Sequence, residues 1–317
     1  VAQEVGTEFE RFWASASAYP LAQLVPPATS NTTTTPEPAS PLTPLAVQME
    51  NPDLPPEVHA YLQAVTQSKF VTQLLAQNLA LEWVRVELVS DDPDKVLDLV
   101  RDPSLMRTHL AQILGEPKRE FYLVSPYFVP TRPGYDWFAE LRNKDVKVKV
   151  LTNALESTDV AAVHAGYSRW RRPLLEVGVA LFETRRAQTE EKQKRSQGSG
   201  LGNSSGESLH AKTFTVDRSI LFVGSFNFDP RSVELNTEMG LLIHSPHLAA
   251  QFAQRFDAQV AQQSYELRLG SNGQLQWLDA AAGPPGQPLV LEQEPNAGFW
   301  RNLYVHFLRL LPIDSLL

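Results

Sequence analysis

The chain has 317 residues, 43% of them hydrophobic, which is enough for one large or two smaller cored α/β domains. A formal charge of −8 argues against a general nucleic-acid binder, because Lys and Arg supply most of that affinity; any phosphate recognition here is local. With no cysteine, disulfides and thiolate metal sites are excluded, and no apolar run approaches the roughly 18 residues that span a bilayer.

In chain order, the first residue is Val1 rather than Met, so the expectation is a chain that begins partway through a longer protein. Residues 26–44 hold six Pro and six Thr and read as an extended linker. Apolar positions at helical spacing run through 57–80, followed by an alternating strand, WVRVELV, at 83–89. Strand-like FYLVSPYF at 121–128, a helix near 134–143, VKVKVLTN at 146–153, a helical stretch over about 158–176 and VGVALFE at 177–183 come next. This alternation predicts a layered α/β sheet, with ligand groups gathering at strand ends. Residues 187–208 carry one apolar side chain larger than Ala, Leu201, and read as a long flexible surface loop.

The loop leads into SLHAKTFTVDRSILFVGSFNFDPRSVELNTEMG at 208–240. On a strand, residues two apart share a face, so His210 and Lys212 point the same way, as do Ser225 and Asn227. A two-residue turn at Arg218 and Ser219 predicts His210 opposite Asn227 and Lys212 opposite Ser225. One imidazole, one ammonium and two hydrogen-bond donors then converge on a patch suited to a phosphoryl group. Glu238, on the following strand, is expected to accept the Nδ1 hydrogen of His210 and leave Nε2 free to react. Asp217 falls on the opposite face and reads as structural, fixing the turn. The pattern H-x-K-x₄-D-x₆-G-S-x-N arises by chance in a chain of this length with probability on the order of 10⁻⁵.

That pattern, carried by His210, Lys212, Asp217, Gly224, Ser225 and Asn227, resembles the signature of the phospholipase D superfamily. The continuation SFNFDPRSVELNTEMG is similar to bacterial cardiolipin synthases, most of all their cardiolipin synthase C branch. So are ELVSDDPDK at 87–95, SPYFVPTRPG at 125–134, LTNALESTDVAAVHAGY at 151–167 and the ending LLPIDSLL. The resemblance implies a phospholipase D-like α/β lobe, a mixed β-sheet flanked by helices. It also implies phosphatidyl transfer through a phosphohistidine, with phosphatidylglycerol as acceptor and another phospholipid as donor. Catalytic roles then fall to His210, Lys212, Asp217, Asn227 and Glu238. Family members carry two H-x-K motifs, one His attacking and the other protonating the leaving alcohol. This chain carries one, since the histidines at 59, 109, 164, 244, 247 and 306 have no Lys two residues on. Because FERFWASASAYPL at 9–21 resembles the segment after the first motif, the expectation is a missing N-terminal lobe, or a second protomer in its place. Whether His210 is nucleophile or acid stays open.

Substrate-binding candidates are Ser225, Asn153 at a strand end, Tyr127 in SPYFVP and His164 in HAGY. Asn153 reads equally as a helix N-terminal turn residue, and His164 and Tyr167 as helix residues of core or surface. The basic cluster RWRRP at 169–173 suits lipid headgroups or a solvated helix face. At the C-terminus, GFWRNLYVHFLRLLP reads as a basic amphipathic helix, either packed on the core or lying in a membrane interface. The expected domains are 1–55, the remnant of a preceding lobe with its linker; 56–295, the catalytic lobe; and 296–317, the C-terminal helix and tail. Expected partners are phospholipids and the surface of the cytoplasmic membrane, peripherally, with no nucleic acid. The site lacks a carboxylate or thiolate cluster, so no cofactor and no metal is expected. The alternatives are a phosphodiesterase or nuclease that completes its site by homodimerisation, disfavoured by the acidic charge, and a non-catalytic membrane-binding lobe.

Overall fold

A computed structural model describes residues 1–24, 56–79, 81–97, 99, 105–186, 209–284 and 286–311. The linker expected at 26–44 and the loop expected at 187–208 lie outside the described residues. The chain divides into two units, one of Val1–Ala18 with Val84–Leu317 and one of Tyr19–Trp83. This division differs from the boundary at 55 that composition suggests.

Helix α1 (Ala2–Trp13) opens the first unit. The second holds α2 (Leu21–Leu24), α3 (Pro56–Thr66) and α4 (Lys69–Leu75), so the helical periodicity of 57–80 becomes two helices broken at Gln67 and Ser68.

The first unit is built on one mixed sheet of ten strands, ordered β1-β7-β6-β5-β2-β3-β4-β8-β9-β10. In chain order these are β1 (Arg85–Ser90), β2 (Glu120–Val124), β3 (Lys147–Asn153), β4 (Ala180–Thr184) and β5 (Lys212–Val216). They continue with β6 (Ile220–Gly224), β7 (Met239–His244), β8 (Ser264–Leu269), β9 (Leu275–Asp279) and β10 (Leu289–Leu291). Strands β2, β3 and β4 pair in parallel, and the other pairs are antiparallel. The helices are α5 (Met106–Leu114), α6 (Thr131–Asn143), α7 (Ala161–Ser168), α8 (Arg171–Glu176), α9 (Pro230–Glu234), α10 (Pro246–Gln263) and α11 (Phe299–Leu308). No described helix is long and apolar enough to cross a membrane.

Strand alternation explains why both sheet faces are covered. In β2, Phe121 and Leu123 join the large core that includes Phe138, Val148, Val150 and Leu181. Their neighbours Tyr122 and Val124 face the other way, against Phe182 and the α10 residues Ala253, Phe256 and Val260. A strand buried on both faces needs an unbroken apolar run, which the FYLV of β2 supplies. The run ends at Val124 rather than continuing to 128. There the Ser125 hydroxyl donates to the Tyr127 carbonyl at 2.6 Å and accepts the Phe228 N–H at 3.1 Å, turning the chain.

The β5–β6 hairpin corrects the predicted register. Lys212 pairs with Gly224, and Val216 with Ile220, one residue away from the expected Lys212–Ser225 pairing. The turn spans three residues, Asp217 to Ser219, with φ of 53° at Asp217 and 50° at Arg218. Asp tolerates this left-handed region better than most residues, and the extra turn residue moves the register by one. Gly224 in turn pairs with Gly240 on β7. The Phe222 ring lies over both; a Cβ would stand 2.7 Å from it at Gly224 and 2.3 Å at Gly240.

Candidate active site

The site forms where β5 begins and β6 ends. Lys212 shares a sheet face with Phe214 and Val216, which enter the large core, so its side chain leaves toward the helices on that face. His210 lies just before the strand and is exposed. The Lys212 Nζ donates to the His210 carbonyl at 3.0 Å and sits 5.9 Å from the centre of the Tyr127 ring. Burial lowers the Lys212 pKa, and the carboxylates of Glu238, Asp229 and Asp159 partly oppose that. An ammonium has three donors, of which the described contacts take one.

Tyr127 donates its hydroxyl to Asp159 Oδ2 at 2.9 Å. Burial first, then this carboxylate, pushes its pKa up to about 12, so the phenol keeps its proton. Asn153, at the end of β3, reaches the site through the backbone. Its Oδ1 accepts the Leu209 N–H at 3.2 Å and the Thr184 hydroxyl at 3.0 Å, while its Nδ2 donates to the Leu209 carbonyl at 3.3 Å. It therefore clamps the residue before His210.

Beyond β6, Asn227 is 7% exposed, and its Oδ1 is buried without a hydrogen-bond partner among the described residues. Glu238 does not orient His210 as expected. Its Oε2 accepts the Ser225 hydroxyl at 2.5 Å and its Oε1 the Ser232 hydroxyl at 2.8 Å. The Ser225 oxygen also accepts the Met239 N–H at 3.0 Å.

Beneath Glu238 lies a buried pair that sequence reasoning missed. Asp91 Oδ2 accepts the Glu238 N–H at 2.9 Å and Lys95 Nζ at 2.8 Å, while Lys95 also donates to the Ser232 carbonyl at 2.9 Å. Neither is more than 4% exposed. The acid and base four residues apart in DDPDK were the available signal, and their short 3₁₀ turn at Pro93–Leu97 brings them together. A cleft of about 280 Å³ opens beside this network, lined by Ser225, Thr237, Glu238 and Met239 on one side and by Val5, Phe9 and Phe12 of α1 on the other.

Two expected residues lie elsewhere. Asp217 stands at the far end of β5, five strand steps or roughly 17 Å from Lys212. Its Oδ1 accepts the N–H groups of Arg119 at 2.7 Å and Glu120 at 3.0 Å, and its Oδ2 that of Lys118 at 3.0 Å. These bonds tie the β5–β6 turn to the start of β2. His164 is 2% exposed, with Nε2 2.8 Å from an Arg171 nitrogen. Arg171 Nε also donates to Glu183 Oε1 at 2.7 Å, Trp277 donates to Glu183 Oε2 at 2.9 Å, and Glu294 completes the cluster. Burial opposes the charge on Arg171, but Glu183 and then Glu294 outweigh it and hold the guanidinium ionised. His164 thus belongs to a buried ion cluster, not to the phosphate patch. Among the described residues no three His, Cys, Asp or Glu side chains are grouped to hold a metal ion.

Chemically, the head of β5 and the stretch beyond β6 offer an exposed imidazole, a partly desolvated ammonium and a buried amide, groups that phosphoryl transfer uses. Residues 110–260 match the family model described as "Cardiolipin synthase, PLD-like domain". That match spans the signature residues at the head of β5 and the end of β6 and supports a place in the phospholipase D superfamily, on its cardiolipin-synthase-like side. Among curated relatives, cardiolipin synthase C of Escherichia coli (strain K12) is 37% identical over 323 aligned residues, covering 100% of this chain and 64% of that protein. Cardiolipin synthase B of the same strain is 28% identical over 142 residues, 44% of this chain and 28% of its own length. The chain therefore spans less than two thirds of the length of these relatives. A solved phosphatidylserine synthase from Haemophilus influenzae Rd KW20 is 16% identical with a TM-score of 0.47, covering 82% of this chain and 55% of that one.

Proposed function

We propose that the chain contributes one half of a phosphatidyltransferase site that joins a phosphatidyl group to phosphatidylglycerol, making cardiolipin at the cytoplasmic membrane surface. The observation that carries this reading is Lys212, a partly buried ammonium between the His210 carbonyl and the Tyr127 ring. Such a group neutralises the non-bridging oxygens of a phosphodiester more strongly than an exposed lysine does. In the reaction, one histidine attacks phosphorus and the bond to the leaving alcohol breaks as a second histidine gives that alcohol its proton. The acceptor hydroxyl then attacks, the P–N bond breaks, and its proton returns to the second histidine. His210 is one of the two. The unpartnered Oδ1 of Asn227 suits an alcohol O–H near phosphorus. The apolar wall of Val5, Phe9 and Phe12 suits a lipid better than a nucleic acid, as does the charge of −8.

The test is glycerol phosphate binding together with phosphatidyl exchange on phosphatidylglycerol vesicles, with a polypeptide carrying a second H-x-K motif added to supply the other half of the site. Lys212→Ala should weaken binding at least tenfold, and His210→Ala should abolish exchange with an unchanged melting temperature. Exchange by His210→Ala at the parental rate would remove His210 from the chemistry. If His210 is the nucleophile, acid-labile phosphohistidine is trapped on it; if it is the acid, none is.

A further inference from the structure

Helix α11 is anchored on one face and bare on another. Val305 and Leu308 are buried with Leu155 and Ala165, and Arg169 donates to the Leu311 carbonyl at 2.7 Å and to that of Leu308, closing the helix C-terminus. At about 100° per residue, the buried pair and Arg301 occupy one side. Phe299, Trp300, Leu303, Tyr304, Phe307 and Leu310 sweep a separate arc of about 140°. All six are half or more exposed, reaching 76% at Trp300 and 82% at Leu310. Six large apolar side chains exposed side by side on one helix form a contiguous patch of the kind that marks an interaction surface.

We propose that α11 is the element by which this chain rests on a membrane, its aromatic arc inserted among the acyl chains and headgroups of an anionic phospholipid surface. Three observations favour a bilayer over a protein partner. Phe, Trp and Tyr together with Leu are the side chains that settle at the boundary of water and hydrocarbon. Residues 299–311 hold no acidic residue, and their exposed basic side chains are His306 and Arg309, so this segment complements anionic headgroups although the chain as a whole is acidic. Ten residues, or about 15 Å, suit lying in the interface and not crossing it.

The fourth observation ties the face to the site. Arg301 donates to the Thr158 carbonyl at 2.6 Å, the next residue, Asp159, accepts the Tyr127 hydroxyl, and the Tyr127 ring stands beside Lys212. Three contacts thus connect the packed side of α11 to the phosphate patch, so the helix that carries the exposed arc is fixed to the elements that carry the patch. The choice of partner rests on the lipid reading of the site.

The experiment is co-sedimentation of the purified chain with vesicles of phosphatidylcholine alone or with about 30% phosphatidylglycerol, comparing the parent with a Phe299→Ser, Trp300→Ser, Phe307→Ser triple variant. These positions are exposed, and a thermal melt checks that the variant folds. The parent should partition onto the anionic vesicles and the variant at least tenfold less, while acyl-brominated lipid quenches parental tryptophan fluorescence in a way that Trp300→Phe largely removes. Equal binding by parent and variant overturns the proposal. So does a parent that ignores vesicles, or one that self-associates through this face while the variant stays monomeric. Lys212→Ala is measured alongside: vesicle binding at the parental level with glycerol phosphate affinity unchanged by Lys212→Ala leaves the anchor standing and the catalytic reading fallen. Exchange on detergent-dispersed lipid without vesicle binding does the reverse.

Discussion

Asp217 and Lys212 belong to one short motif, yet they occupy opposite ends of β5 and do different work. Even spacing put Lys212 on the face it shares with Phe214 and Val216, and the odd spacing of Asp217 set it apart. What spacing alone left unread was the third turn residue, because a left-handed φ at Asp217 and Arg218 is a backbone property carried by no apolar pattern. Asp217→Ala removes the acceptor of three N–H groups, and a loss of about 1–3 kcal/mol is expected with little change in glycerol phosphate affinity. Asp217→Asn, which still tolerates the turn, should lose less. Denaturant melts beside binding titrations check both, and a weakened affinity at unchanged stability would return Asp217 to the site. The pH dependence of Lys212 follows from its burial. Its ammonium gives up the proton below the usual lysine range, so its contribution to anion binding is full at lower pH and lost as pH rises through that lowered value. Titrating glycerol phosphate affinity across the alkaline range should show the loss, and Lys212→Arg should move it higher, because a guanidinium stays charged.

At the level of elements, the strands flanking the site were legible and much of their surroundings was not. VKVKVLTN and VGVALFE alternate strongly and form β3 and β4 near the expected ranges. Helix α10 escapes notice because its buried stripe is Ala249, Ala253, Phe256 and Val260, and alanines barely raise an apolar signal. Strands β8 and β9 are also absent from the expectation, although Tyr265 and Leu267 alternate before a turn at Gly273. The Asp91–Lys95 pair could not be read as buried, since acids and bases four residues apart usually mark a solvated helix face. Gly224 and Gly240 show how a motif residue serves packing: their missing side chains leave room for the Phe222 ring. Gly240→Ala forces the ring or the strand to shift, and a cost of about 1–3 kcal/mol is expected. Adding Phe222→Leu should make the alanine less costly. A double-mutant cycle measures the coupling, and simple additivity would mean that the ring is not what the glycines accommodate.

For the whole molecule, the decisive fact is that H-x-K occurs once in 317 residues, while the proposed transfer needs one histidine to attack and another to carry the proton. The second group has to reach the same phosphorus from the opposite side, and it gains its effect from being held there. Among the groups around Lys212, the Tyr127 phenol is held protonated by burial and Asp159, and Asp229 is raised by burial but committed to the Ser232 N–H at 2.7 Å. Neither replaces an imidazole that exchanges protons near neutral pH. The isolated chain is therefore expected to bind glycerol phosphate while exchanging phosphatidyl groups at a negligible rate when dilute. A dilution series on phosphatidylglycerol vesicles reads this directly. Specific activity that rises with protein concentration would mean that a second copy supplies the missing imidazole. Robust turnover independent of concentration would mean that one chain holds both groups, and the half-site reading would be wrong. Polypeptide carrying another H-x-K motif, added to the dilute chain, should restore exchange to the parent and not to His210→Ala.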